Sequence, residues 1–282
     1  MKKKLKVNKE VHLVYFHSKP KNNKPTLFFV HGVGGNWSIW EKSIAHAKKD
    51  GYGVLAVDLR GHGISSYPED KIYYYLEDLA KDLGLILKKE KIKDFIFITH
   101  SFGGAIALIY TTRFKDLSPK AVVAICSTFR YPFKKYHELN TSPVICYPLR
   151  KLVEWKVITN KSFPRFPELD LFKVLKENLL FHFFDELYYT SFKSIFNCLD
   201  SAKEYCHKFD KKNEDLLRKL NIPVLLIAGE QDNIIPKKYS EELHSILPDS
   251  KYKLLKGNHL IPLLKNSEMN SEIFSFLIKL KL

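Results

Sequence analysis

The sequence predicts an α/β fold built on a mostly parallel sheet, and three observations carry that prediction. Short apolar runs of strand type, at 26–30, 52–59, 95–99, 121–126, 224–228 and 251–255, alternate with stretches of helical character, as strand–helix–strand units require. Turns rich in Gly and polar residues follow several of these runs directly, which gathers the reactive residue types along one edge of the sheet. Between 129 and 205 the rhythm is interrupted by a region crowded with aromatics and prolines, and it resumes at 224.

In chain order, 2–7 and 11–17 alternate loosely around Asn8-Lys9, the pattern of an antiparallel hairpin at a sheet edge. After a polar, Pro-containing connection, Thr26-Leu27-Phe28-Phe29-Val30 is a wholly apolar strand that runs into His31-Gly32-Val33-Gly34-Gly35, with Trp37 and Trp40 close behind. A Gly-rich loop after a buried strand can cradle phosphate. The spacing fits neither of the common phosphate-loop patterns, and no Lys-Ser or Lys-Thr follows, so a loop that offers a backbone N–H to an oxyanion is the better reading. The strand 52–59 leads to a second Gly-rich turn, Arg60-Gly61-His62-Gly63-Ile64-Ser65, and Leu76, Leu79, Leu83, Ile86 and Leu87 then mark one face of a helix over 76–89.

The next strand, 95–99, is too short for a helix, and 105–110 reads as the buried start of one. Between them lies Thr99-His100-Ser101-Phe102-Gly103-Gly104. A strand that becomes a helix within two or three residues forces positive φ on the residue at the turn and demands small neighbours, which Gly103 and Gly104 supply. The turn exposes the Ser101 hydroxyl beside the unpaired N–H groups of a helix N-terminus. This is the logic of a nucleophile elbow, G-x-S-x-G, with Thr99 in place of the first Gly. Alone, the same residues also describe a helix start with a Ser cap.

A further strand follows at 121–126, and the aromatic-rich stretch from 129 to 205 reads as short helices inserted after the sixth strand, although many of its aromatics also suit an ordinary core. Strand 224–228 leads to Gly229-Glu230-Gln231-Asp232-Asn233-Ile234-Ile235-Pro236 and to a helix with Leu243, Ile246 and Leu247 on one face. The last strand, 251–255, ends at Lys256-Gly257-Asn258-His259, and 273–280 closes the chain as an amphipathic helix. The organisation expected is a core over 1–128, a helical cap over 129–205 and a second part of the core over 206–282.

At 282 residues the chain can bury one large core, and 45% hydrophobic with 27% charged residues is ordinary for a globular domain. Cys126, Cys146, Cys198 and Cys206 show no C-x-x-C spacing, which suits reduced thiols and a cytoplasmic location. No run approaches the ~18 apolar residues of a membrane helix, and polar residues interrupt any leader-like stretch behind Lys2-Lys3-Lys4. Close to half of the net charge of +15 sits near the N-terminus, and the other lysines are spread along helix faces. No basic motif interleaved with aromatics appears, so nucleic acid is not expected as a partner, and a solvated Lys-rich surface explains the charge.

Ser101, Asp232 and His259 each follow a predicted strand, in that chain order. With His31-Gly32, Asp58 to Ser65, His100 to Gly104, Gly229 to Pro236 and Gly257 to His259, the sequence resembles the α/β-hydrolase family over nearly its whole length outside the cap. The resemblance implies a mostly parallel eight-stranded sheet flanked by helices and carrying an inserted helical cap. It further implies a carboxylesterase-type serine hydrolase with Ser101 as nucleophile, His259 as base, Asp232 as acid and the backbone N–H groups of Val33 and Phe102 as oxyanion hole. Neither metal nor organic cofactor is needed. Trp37, Trp40 and Trp155 are candidate pocket residues for an apolar acyl or aryl ester, and a basic rim suits an acidic acyl-carrier protein. Glu230 is the reserve acid, and His31, His62, His100 and Asp58 have structural roles. The same triad serves aminopeptidases, carbon–carbon hydrolases and acyltransferases, and some members of the fold act as small-molecule receptors.

Overall fold

A computed structural model describes residues 1–114, 116–132 and 192–282. Most of the stretch 129–205, Trp155 included, lies outside the described residues. Eight strands form one sheet in the order β1-β2-β4-β3-β5-β6-β7-β8: β1 (Lys2–Lys6), β2 (His12–Ser18), β3 (Thr26–Val30), β4 (Gly53–Asp58), β5 (Phe95–His100), β6 (Ala121–Ile125), β7 (Val224–Gly229) and β8 (Ser250–Leu255). The expected edge hairpin is present: β1 runs antiparallel to β2 and β2 antiparallel to β4, whereas every later pairing is parallel.

The wholly apolar runs are apolar because both faces of the sheet are covered. Along β3, Phe28 and Val30 enter one core layer while Leu27 and Phe29 enter the other, and β5 divides in the same way into Phe95 and Phe97 against Ile96 and Ile98. The first layer is closed by α2 (Leu76–Glu90) and α3 (Phe102–Arg113), after α1 (Glu41–Lys49) has joined the second layer through Ile44 and Ala47. Farther along, α4 (Phe192–Arg218) and α5 (Lys237–Ile246) add Cys198, Tyr205, Leu217, Leu243 and Ile246 to the first layer. The short α6 (Ile261–Leu264) and the C-terminal α7 (Asn266–Lys279) cover the second with Ile261, Met269, Ile273 and Leu277. Helix α4 runs through position 205, where the sequence placed the end of the cap.

Two helices differ from expectation. Helix α1 went unseen because its buried side is only Ser43, Ile44 and Ala47, too thin a stripe for apolar periodicity. Helix α7 begins at Asn266, ahead of the apolar run at 273, because its first turns are held by polar groups. Asn266 Nδ2 donates to Ser43 Oγ (3.2 Å), that hydroxyl donates to Asn270 Oδ1 (2.8 Å), and Asn270 Nδ2 donates to Asn266 Oδ1 (2.9 Å).

The chain moves outward from β3 to β4, then returns across β3 to β5 and continues in the opposite direction. The direction of winding reverses between β3 and β5, and an open parallel sheet forms its crevice at the carboxyl ends of strands on either side of such a reversal. The loop after β3 and the turn after β5 both lie there.

Candidate active site

Ser101 sits between β5 and α3 at φ 53° and ψ −120°, the positive φ that the tight turn demands. Close approach explains both glycines after it. A Cβ on Gly103 would lie 2.5 Å from the His31 carbonyl oxygen and 2.6 Å from that of Val30, and one on Gly104 would lie 2.2 Å from Ser127 Oγ. The first turn of α3 is therefore pressed against the end of β3. Thr99 replaces the first Gly of the pattern without strain because its hydroxyl turns along the sheet and donates to the Val123 carbonyl (2.8 Å). The Ser101 N–H donates to the Ile125 carbonyl (2.8 Å), which anchors the turn to β6.

His259 stands within hydrogen-bonding reach of both other residues expected to act with it. His259 Nε2 is 3.0 Å from Ser101 Oγ, and His259 Nδ1 is 2.8 Å from Asp232 Oδ2. The other carboxylate oxygen of Asp232 accepts from the N–H groups of Ile234 (2.9 Å) and Ile235 (2.8 Å). Burial pushes the Asp232 carboxyl up, but the hydrogen bond and charge of His259, with those two N–H groups, outweigh it and hold the group below its ordinary value. Asp232 thus stays ionised, and a carboxylate on Nδ1 favours the tautomer that leaves the Nε2 lone pair facing the Ser101 hydroxyl. Glu230, the reserve acid, is exposed.

Three further histidines near the site, His31, His62 and His100, each hydrogen-bond to the backbone. His31 Nδ1 lies 2.7 Å from the Gly32 carbonyl and its Nε2 accepts from the Leu59 N–H (3.0 Å), which ties the loop after β3 to the end of β4. His62 Nδ1 donates to the Arg60 carbonyl (3.0 Å), and burial pushes its imidazole down to about 4. His100 Nε2 donates to the backbone carbonyl of His259 (2.9 Å), while burial, then the neighbouring His259, pushes its imidazole down to about 3. Asp58 ties its own turn together, as expected, and also reaches outside it: Oδ2 accepts from Ile64 N–H (3.1 Å) and Oδ1 from Trp37 N–H (2.8 Å).

Val33 is half-buried against the first core layer, in the loop that carries the Gly32 backbone to the Ser101 side chain; a Cβ on Gly32 would lie 3.0 Å from Ser101 Cβ. Phe102 is the first residue of α3 and is buried. The loop after β3 and the first turn of α3 thus both lie against the Ser101 turn. Trp37 packs on Phe16, with ring centroids 4.1 Å apart, and Trp40 is fully buried against Phe29 in the second core layer.

Two neighbours of the site were not foreseen. Ile195, near the start of α4, places Cδ1 3.9 Å from where a Cβ on Gly34 would stand, so this helix borders the loop after β3. Cys126 stands at the end of β6 with φ 48°, buried next to Asp232. Burial, then the Asp232 charge, pushes its thiol well above the ordinary range. Only the apolar run ending at Cys126 was visible in the sequence, and nothing in that run marks its last residue as a neighbour of the site.

Among curated proteins, "Protein ABHD8" of Homo sapiens is 28% identical over 264 residues, which cover 89% of this chain and 55% of that protein. The chain thus spans about half the length of these relatives. "Uncharacterized hydrolase YugF" of Bacillus subtilis (strain 168) is 28% identical over 254 residues, 88% of each chain. Among solved structures, one from a study of carboxylesterases of the thaumarchaeon Nitrososphaera gargenis superposes with a TM-score of 0.76 at 21% identity, over 99% of both chains. A profile of the alpha/beta hydrolase fold matches residues 25–265, a span that runs from β3 past His259 and takes in the Ser101 turn and Asp232, and the chain belongs to that family.

Proposed function

We propose that the protein is a serine hydrolase that cleaves a carboxylic ester or thioester through an acyl-enzyme intermediate on Ser101. The observation that carries this reading is the unbroken chain from Ser101 Oγ through the His259 imidazole to Asp232, with contacts of 3.0 and 2.8 Å. A serine hydroxyl is a weak nucleophile at neutral pH, so it needs a base in contact at the moment of attack. His259 Nε2 takes the proton as Oγ bonds to the acyl carbon, and Asp232 stabilises the imidazolium that results. The carbonyl oxygen becomes an oxyanion, which meets the N–H groups of Val33 and Phe102. As the tetrahedral carbon collapses, the imidazolium returns its proton to the departing alkoxide or thiolate. Water then repeats the sequence on the acyl-Ser101 ester, with His259 again as base, and releases the acid.

Nothing in these steps selects the acyl group. The aromatic composition of 129–205, read as a cap, and Ile195 beside Gly34 favour an apolar acyl or aryl group. An acidic carrier protein has only the net charge of +15 in its favour, and the cytoplasm remains the compartment that the cysteine pattern suggests. Among the described residues no helix is long and apolar enough to cross a membrane.

The test is turnover of p-nitrophenyl esters of graded acyl length, with thioesters and aminoacyl amides alongside, by the wild type and Ser101→Ala. Ester turnover that drops by several orders of magnitude in a folded Ser101→Ala protein supports the proposal. Retention of more than about a tenth of the activity removes Ser101 from the role, because loss of a nucleophile costs far more than tenfold. No ester or thioester turnover by the wild type would favour the receptor reading.

A further inference from the structure

Beside the imidazole of His259 lie two donors that the proposed mechanism does not use, His100 and Cys126. One ligand atom each from His100, Cys126 and His259 lies within 4.8 Å of the others, and all three residues are buried. Asp232 completes the set: its Oδ2 is 2.8 Å from His259 Nδ1, and its carboxylate neighbours the Cys126 thiol. The sheet places these residues together at the carboxyl ends of its strands. His100 ends β5, Cys126 directly follows β6, whose Ile125 is in register with Ile227 of β7, and Asp232 follows β7. Cys126 holds a positive φ of 48°, uncommon for a residue with a side chain. Its N–H donates to the Ile227 carbonyl (2.7 Å), which fixes the residue in that conformation.

We propose that His100, Cys126 and His259, with Asp232 as a fourth donor, form a binding site for a thiophilic divalent cation such as zinc, and that the bound cation silences the hydrolase. Two imidazoles, one thiolate and one carboxylate are a donor set that zinc takes in tetrahedral geometry. With zinc–sulfur bonds of about 2.3 Å and zinc–nitrogen bonds of about 2.0–2.1 Å, donors around a bound ion stand about 3.3–3.7 Å apart, so the His100, Cys126 and His259 atoms, which lie within 4.8 Å of one another, would draw together by up to about 1.5 Å. Binding forms metal–sulfur and metal–nitrogen bonds, breaks the S–H bond of Cys126 and releases that proton to water, with no change of oxidation state. The path in is the cleft itself, because the His259 side chain is 11% exposed and Ser101 is half-buried. Coordination at His259 takes up a nitrogen that the triad needs, either the lone pair for the Ser101 proton or the partner of Asp232. The inhibition rests on the proposed function, whereas the binding does not.

The experiment separates the two. Ser101→Ala protein, freed of metal by a chelator, is titrated with cobalt chloride, whose bonds to thiolate give sulfur-to-metal charge-transfer absorption in the near ultraviolet. One equivalent of cobalt should produce that band, Cys198→Ser should leave it unchanged, and Cys126→Ser should remove it. In the wild type, zinc sulfate should suppress ester turnover reversibly with EDTA, and Cys126→Ser should need at least about tenfold more zinc, since changes even outside the ligand shell cost about 10–100-fold in affinity. A folded Ser101→Ala protein without the band overturns the site, whatever the folding of the Cys126 variant. Equal zinc sensitivity in wild type and a folded Cys126→Ser protein overturns it too. If the wild type hydrolyses nothing, the proposed function fails while the cobalt titration still decides the site.

Discussion

Ser101 can hold a positive φ because its neighbours leave the backbone no alternative, and the tightest constraint is at Gly103. A methyl group there would meet two backbone carbonyls at 2.5 and 2.6 Å, atoms that cannot rotate away as a side chain can. Gly103→Ala should therefore lower stability by about 1–3 kcal/mol, measured by urea denaturation, as overpacking of a rigid site does. Unchanged stability would mean that α3 stands farther from β3 than described. At the acid position, Asp232→Asn should lower kcat by up to ~10⁴-fold through the wrong imidazole tautomer. Glu230→Gln, at an exposed position, should change kcat by less than about tenfold, and the reverse ranking would move the acid to Glu230. The members of this chain were legible because strand, turn and reactive residue are contiguous at each site: Ile98 to Gly104, Ile227 to Asp232, Leu255 to His259. Cys126 was not legible. Its place beside Asp232 arises from the register of β6 on β7, which no local pattern encodes.

At the scale of elements, the turn after β4 is held by two buried carboxylates with different chemistry. Asp82 of α2 receives Arg60 in a two-pronged contact, Nε to Oδ2 at 2.7 Å and Nη2 to Oδ1 at 2.6 Å, with the Arg60 side chain 4% exposed and that of Asp82 2%. Removing the cation strands a buried charge. Arg60→Ala should cost about 3–5 kcal/mol in denaturant unfolding, and a loss below about 1 kcal/mol would show that water reaches Asp82. Among the described residues Asp58 is met by the N–H groups of Trp37 and Ile64 and by no ion-paired cation, and burial pushes its carboxyl up to about 6 from an ordinary 3.8. The folded chain then holds this proton more tightly than the unfolded chain does, so the Asp58 contribution to stability falls as pH rises from about 4 to 6. Asp58→Asn lacks that contribution, so its stability relative to the wild type should improve between pH 4 and pH 7. A constant difference across that range would place the Asp58 carboxyl near its ordinary value. Elements with a strong apolar period were legible from sequence, as Leu76 to Leu87 were in α2. Helix α1 and the first turns of α7 were not, because they meet through Ser43, Asn266 and Asn270, and hydrogen bonds between helices leave no apolar period.

At the scale of the molecule, two core layers grip a sheet whose winding reverses between β3 and β5, and the carboxyl ends of β5, β7 and β8 are followed by Ser101, Asp232 and His259. The sheet brings together residues up to 158 positions apart in the chain and holds them at contact distance. The fold thus sets the relative positions of these three side chains before any ligand arrives, which is the preorganisation that the proposed acyl transfer requires. The most direct measurement is to expose the purified protein to a fluorophosphonate probe and to map the adduct by peptide mass spectrometry, in the wild type and in His259→Ala. A phosphonylated serine reports a nucleophile with its base in place, without any assumption about the natural substrate. One adduct is expected, on Ser101, forming at least about 10²-fold more slowly in a folded His259→Ala protein. An unlabelled wild type, an adduct on a different residue or labelling of Ser101 at the same rate without His259 would contradict it.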